Sequence, residues 1–229
     1  MADVIALFPL SHVLVPGMPL PLHIFEPRYR QLLVDVSQGP GNGAFGVVAL
    51  RRGAEVDIVD TVGTAEPGPP EIAGVGTLAE ILEVEPYDDG AADLLLVGSR
   101  RFRIVRLLTE ATPYLRAEVQ WLDELGGDLG QYEVAVTRRL CQDYSALIEK
   151  LTGRRRDTEL PRDAGLLSYH VAGELPLAPE DRQALLEQAT AADRLRSAIR
   201  LLRREISLLE ATRSICVAPS VLALLAHPN

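Results

Sequence analysis

Two glycine patterns are the first places where this chain could do chemistry. Gly41-x-Gly43-x-x-Gly46 and Gly74-x-Gly76-x-x-Ala79 both carry the spacing that lets a dinucleotide pyrophosphate approach the backbone. That use needs a strand before the glycines and a helix after them, so that the phosphates meet a helix N-terminus. The first pattern lies between a helix pattern and a strand pattern, and reads as a loop. The second leads into Leu78, Glu80, Leu82 and Val84, a partial alternation that reads as a hairpin arm. Lys150 is the only lysine, and Glu149 and Leu151 flank it, so no Gly-Lys-Ser/Thr phosphate loop is encoded. A Ser–Lys dyad would have to use this same lysine. Near the end of a helical pattern it reads instead as a solvated charge that suits the helix dipole.

The remaining reactive residues are dispersed. There is no G-x-S-x-G elbow, and Ser99 falls inside a strand pattern. His12, His23, His170 and His227 occur singly, and Cys141 and Cys216 lie far apart outside any C-x-x-C pair. Neither set has metal-ligand or disulfide-framework spacing. Glu80, Glu83, Glu85, Asp88, Asp89 and Asp93 bracket a turn without the order of a calcium loop, and read as a solvated hairpin tip. Arg100, Arg101, Arg103 and Arg106 surround Phe102, and arginines interleaved with an aromatic on a strand can hold phosphate and stack a base. The other reading of that stretch is a polar strand face balanced by the acidic arm. Arg154-Arg155-Arg156 is a second basic cluster, expected in an exposed loop. No catalytic residue, metal site or cofactor is expected.

Composition bounds the class. The 229 residues are 47% hydrophobic and 24% charged, which is ordinary globular composition. A chain of this length buries roughly 70–75% of its extended surface on folding. The net charge of −9 argues against a protein that coats nucleic acid. The N-terminus shows no basic region followed by a long apolar run, and the apolar runs are too short for a membrane span. A cytoplasmic protein is expected.

The elements follow from periodicity. Val4–Leu7 is a first strand, followed by a proline-fixed loop to an extended segment that leads directly into a helix start. Pro27 fits the first position of a helix, Glu26 faces its positive end, and Tyr29, Leu32, Leu33 and Val36 form its inward stripe. After the breaker at 39–43 come a strand at 44–50, an extended segment at 55–65 and an exposed Pro/Gly loop at 66–70. A hairpin follows, with arms at 75–85 and 93–107 and its turn at 88–90, then a last strand at 114–121. Six or seven strands around one early helix suggest a compact, barrel-like β domain. Composition shifts at 123–128, and everything beyond is helical: 131–151, 164–172, 179–189 and 191–211, then an apolar turn at 221–225. In the longest helix Leu195, Ile199, Leu202, Ile206 and Leu209 form a seam, with Arg194, Arg196, Arg200, Arg203 and Arg204 on the rest of the circumference. The expected fold is α+β, with a domain at 1–124 and a helical bundle at 125–229.

These motifs resemble the N-terminal substrate-binding domain of Lon proteases. The resemblance is carried by Leu7-Phe8-Pro9-Leu10, Val15-Pro16-Gly17 and above all Leu22-His23-Ile24-Phe25-Glu26-Pro27-Arg28-Tyr29. Phe45-Gly46-Val47-Val48, Val75-Gly76-Thr77, the Gly98–Val105 strand and Pro113-Tyr114-Leu115-Arg116-Ala117 follow in the same order. It implies a PUA-like β-barrel followed by a helical bundle, here standing alone. In full Lon proteases the module helps capture unfolded or degron-bearing proteins for an ATPase and a Ser–Lys peptidase further along the chain. It brings no catalytic residue to this chain.

Three roles follow as expectations. The first is a non-catalytic module that binds unfolded or degron-bearing polypeptides, or a specific protein partner, in a groove between barrel and bundle. His23, Phe25, Arg28 and Tyr29 are its site candidates, unless that motif only locks barrel to helix. The second is RNA binding through Arg101, Phe102 and Arg103, by analogy with the PUA-like fold. The third is an unrecognised enzyme or small-ligand protein, which needs a pocket of convergent titratable groups.

Overall fold

The computed structural model describes residues 3–39, 43–51, 71–108, 112–154 and 159–213. The extended segment expected at 55–65, the loop at 66–70, Arg155, Arg156, Cys216, His227 and the turn at 221–225 lie outside the described residues. The chain divides into two units, Met1–Asp123 and Glu124–Asn229.

The first unit contains strands β1 (Asp3–Leu10), β2 (Pro19–Ile24), β3 (Ala44–Ala49), β4 (Val75–Pro86), β5 (Ala92–Leu108) and β6 (Leu115–Trp121), with one helix, α1 (Pro27–Gln38). They form a mixed sheet of order β2-β5-β4-β3-β1-β6, and a further β5–β6 pairing returns the ladders to β5. β1 and β3 run parallel, and every other pairing is antiparallel. The sheet is therefore not the regular barrel expected. Its ladders carry register shifts in β4 and at the β5–β6 pairing, and among the described residues β2 pairs with β5 alone.

β2 shows how such an edge is protected. Gly98 N donates to the Met18 carbonyl at 3.0 Å, continuing the phase in which the even-numbered residues of this stretch bond to β5. The nitrogens of Pro19 and Pro21 then fall toward the open edge, where proline has no N–H to offer a foreign strand.

α1 begins where the sequence places it, with Glu26 as N-cap and Pro27 in the first turn. Tyr29 and Leu32 are buried, and Leu33 and Val36 pack against the same core as Phe8, Phe45, Leu94 and Leu96. Tyr29 stacks on Phe8 with ring centroids 4.0 Å apart. A second cluster lies around Phe102, with Leu7, Val48, Ala117 and Val119. The chain makes room for the Phe102 ring with glycines on two neighbouring strands. A Cβ at Gly46 would lie 2.7 Å from Phe102 Cζ and 2.8 Å from Ile5 and Leu7 side-chain atoms. A Cβ at Gly76 would meet the same ring at 2.7 Å and the Val47 carbonyl oxygen at 2.5 Å.

The second unit contains α2 (Gln131–Thr152), α3 (Ala164–Glu174), α4 (Pro179–Glu187) and α5 (Ala191–Thr212). Asp163 and Thr190 cap α3 and α5 by accepting from the backbone N–H of Leu166 and Asp193. Leu195, Ile199, Leu202 and Leu209 are buried as the seam predicts, and Ile206 is half-buried. The charged circumference is not as expected. Arg194 is fully buried, its guanidinium 2.7 Å from Glu124, 2.9 Å from Ser168 Oγ and stacked 4.2 Å above the Tyr169 ring. The Tyr169 hydroxyl donates to the same Glu124 carboxylate at 2.8 Å. A strict heptad reading places Arg194 outside because it ignores that a cation with a full set of partners can be buried.

Two outcomes follow. Gly46→Ala and Gly76→Ala should each destabilise the first unit by about 1–3 kcal/mol through overpacking. A shortened Phe102→Leu side chain should recover part of the Gly46→Ala loss and little of the Gly76→Ala loss, since only the latter strikes backbone; chemical denaturation of the four variants checks this. In the second unit, Glu124→Ala should cost on the order of 3 kcal/mol by leaving a buried guanidinium without its carboxylate. Adding Arg194→Met should restore part of it, giving a non-additive double-mutant cycle in urea.

Candidate functional site

The motif that the sequence singles out splits between inside and outside. Tyr29 is 6% exposed, and burial raises the pKa of its hydroxyl. Arg28 bonds to Glu26 through Nε at 2.8 Å and lies over the Tyr29 ring at 4.6 Å. Tyr29 seats α1 on the sheet through Phe8, while Arg28 stays half-buried beside Glu26 at the helix start. His23 and Phe25 point the other way. Phe25 is 60% exposed, and its ring stacks with His23 at 5.9 Å.

Both join residues from the β4–β5 hairpin. Tyr87 is 46% exposed and meets the His23 ring edge-on at 6.0 Å. Asp93 links the two: it lies 2.5 Å from His23 Nδ1 and accepts from the Tyr87 hydroxyl at 2.7 Å. The Tyr87 bond, followed by the His23 contact, holds the Asp93 pKa below the usual carboxylate value; the same bond raises that of Tyr87. Leu82 and Val84 on β4 are 57% and 47% exposed. The hairpin read as a merely solvated acidic tip thus carries an aromatic cluster as well. Tyr87 and Asp93 were missed because their link to His23 runs through the β2–β5 register, in which His23 stands opposite Asp93.

The arginine strand is placed differently from the nucleic-acid expectation. Arg101 is 1% exposed and reaches the Asp123 carbonyl at 3.4 Å, and Phe102 is fully buried against Trp121 with centroids 6.2 Å apart. A base cannot stack on a ring enclosed in a core, and only Arg103 of the three is exposed. Arg106 pairs with Glu118 of β6 at 3.1 Å, so its carboxylate partner comes from the last strand rather than from the acidic hairpin arm.

The second unit holds a cavity of about 260 Å³, lined by residues including Cys141, Tyr144, His170, Glu174 and Leu202. Burial pushes the Cys141 thiol up to about 11. Such a thiol is a weak nucleophile at neutral pH. Among the described residues no three His, Cys, Asp or Glu side chains converge as a metal site, and no helix is long and apolar enough to cross a membrane.

Residues 4–204 match the family model described as the ATP-dependent protease La (LON) substrate-binding domain. The chain belongs to that family. It is 26% identical over 224 residues to Lon protease of Cytophaga hutchinsonii, covering 93% of this chain and 26% of that protein. It is 28% identical over 155 residues to Lon protease of Escherichia coli, covering 66% of this chain and 20% of the other. The chain thus spans about a quarter of the length of the curated relatives it matches. Among solved structures, the Lon N-terminal domain protein from Xanthomonas campestris aligns with a TM-score of 0.59 and 26% identity, over 86% of this chain and 98% of that one. The N-terminal domain of Mycobacterium avium complex Lon protease also gives 0.59, at 17% identity, over 88% and 98%, and shares the fold.

The buried thiol gives a direct check. With its pKa near 11, roughly a thousandth of Cys141 is thiolate at pH 8. Iodoacetamide should label Cys141 slowly in the native protein and rapidly in urea, as read by peptide mass spectrometry; fast native labelling would show the helical cavity to be open to reagent.

Proposed function

We propose that this chain is a non-catalytic binding module for polypeptides, taking unfolded or degron-bearing chains or a specific protein partner in the cytoplasm. In this reading residues 1–124 form a PUA-like capture domain and residues 125–229 a helical companion domain. The single observation that carries it is the exposed cluster of Phe25, His23 and Tyr87, held in place by Asp93. Large aromatic side chains left in water at the end of a sheet supply apolar contact area on binding. Family membership supports the same reading, since the matched model is named for substrate binding.

The two halves of the motif have different work. His23 and Phe25 contact the bound segment, whereas Arg28 and Tyr29 hold the helix that fixes the end of β2. RNA binding finds less support, because Arg101 and Phe102 are enclosed.

Fluorescence anisotropy with a labelled, permanently unfolded polypeptide tests this. Phe25→Ala should weaken binding about tenfold, as expected for an exposed aromatic anchor, and leave the melting temperature unchanged. Tyr29→Ala should instead lose about 3–5 kcal/mol of stability as a truncated core aromatic. Unaltered binding by both Phe25→Ala and Tyr87→Ala would remove this cluster as the capture site.

A further inference from the structure

The ladder register defines a second feature of the same end of the sheet. Opposite residues in paired strands share a face. Across β2, β5 and β4 the outward rows are Pro19/Val97/Glu80, Pro21/Leu95/Glu83 and His23/Asp93/Glu85. Their inward neighbours Leu94, Leu96 and Ala92 are core residues, which fixes the direction of the outward set. Pro19 and Pro21 are exposed, Leu95 and Val97 are half-buried, and Glu80, Glu83 and Glu85 are exposed. The face is therefore an apolar strip bordered along β4 by a column of carboxylates.

A bulge builds this column. Between Ile81 and Glu83 the β4–β5 register shifts by one residue, so that Glu83 and Glu85 face outward alongside Glu80. Without the shift, simple alternation from Glu80 would bring Leu82 and Val84 to that face and turn Glu83 and Glu85 inward. The arrangement also sets Glu85 directly across from Asp93, and like charges in that relation are unfavourable. The nine residues of the three rows include no lysine or arginine, and among the described residues no ion pair engages Glu80, Glu83 or Glu85.

We infer that this face selects extended polypeptide segments in which apolar residues alternate with lysine or arginine. The inference rests on the polypeptide-binding reading above and adds the class of segment. The apolar side chains lie along Pro19, Pro21, Leu95 and Val97. The basic side chains reach across to Glu80, Glu83 and Glu85, which stand at the two-residue repeat of a strand except where the bulge adds one. The prolines keep the bound segment from adding to the β2 edge as a further strand, so side chains supply the contacts. Selectivity by such rim charges falls with salt.

Three labelled peptides of equal length, alternating leucine with lysine, glutamine or glutamate, test this by anisotropy at low and high salt. The full chain should bind the lysine peptide roughly tenfold tighter than the glutamine peptide at low salt, with the preference mostly lost at high salt. The combined Glu80→Gln, Glu83→Gln and Glu85→Gln variant should erase the preference and retain binding of the glutamine peptide. A control with Glu149→Gln, Glu187→Gln and Glu210→Gln makes the same change in net charge on the helical unit and should retain the preference. An equal loss in the control would assign the effect to the overall negative charge and overturn the inference. Equal binding of all three peptides would overturn it while leaving polypeptide capture intact, whereas binding of none would defeat both.

Discussion

β5 has to serve two partners along one edge, and the first unit depends on how it does so. Its opposite edge is occupied by β4 from Ala92 to Arg103, so residues before Gly98 pair with β2 and residues from Phe102 onward pair with β6. The change of partner occurs at Gly98, whose N–H donates to Met18 and whose carbonyl accepts from Gly17 at 2.8 Å. The Val15 carbonyl oxygen would lie 2.4 Å from a Cβ at Gly98. Only glycine lets the incoming loop come this close. From that constraint follow the return of the ladders to β5, the separation of β2 as an edge, and the meeting of His23 with the hairpin residues Tyr87 and Asp93.

The same local economy explains why one short motif contains both structural and exposed residues. β2 ends at Ile24, which is buried, and Phe25 is released to solvent before Glu26 and Pro27 begin the helix. Two residues later Tyr29 returns to the core against Phe8. The strand-to-helix transition thus places alternate large side chains on opposite sides of the sheet within a few residues. The helical unit depends instead on a buried polar junction, with Arg194 of α5 meeting Ser168 and Tyr169 of α3 and Glu124 at the start of the unit.

Periodicity was enough to read most elements. The α1 start at Pro27, the hairpin turn, and the spans of α2 and α5 agree closely with those expected, because proline, glycine and apolar spacing act locally. Pairing was not legible, since the β1–β3 parallel ladder and the double use of β5 depend on long-range contacts. The site was half legible. His23 and Phe25 stood out in the motif, and helical phase placed Tyr29 on the inward stripe where it is buried, but the motif alone did not separate Tyr29 from the exposed pair. Arg101 and Arg194 show the same limit: both are arginines in charged stretches, yet both are buried. The bulge at Leu82 reversed the outward set of β4, which no alternation rule applied from Val75 would reveal.

The proposed place where polypeptide is held is the sheet end near His23, with the helical cavity uninvolved. Amide shift mapping of the isotope-labelled full chain, titrated with an unfolded polypeptide, tests that claim most directly. Perturbations should concentrate at residues 19–25 and 80–97. Perturbations centred on Cys141, His170 and Leu202, with the sheet unaffected, would contradict it.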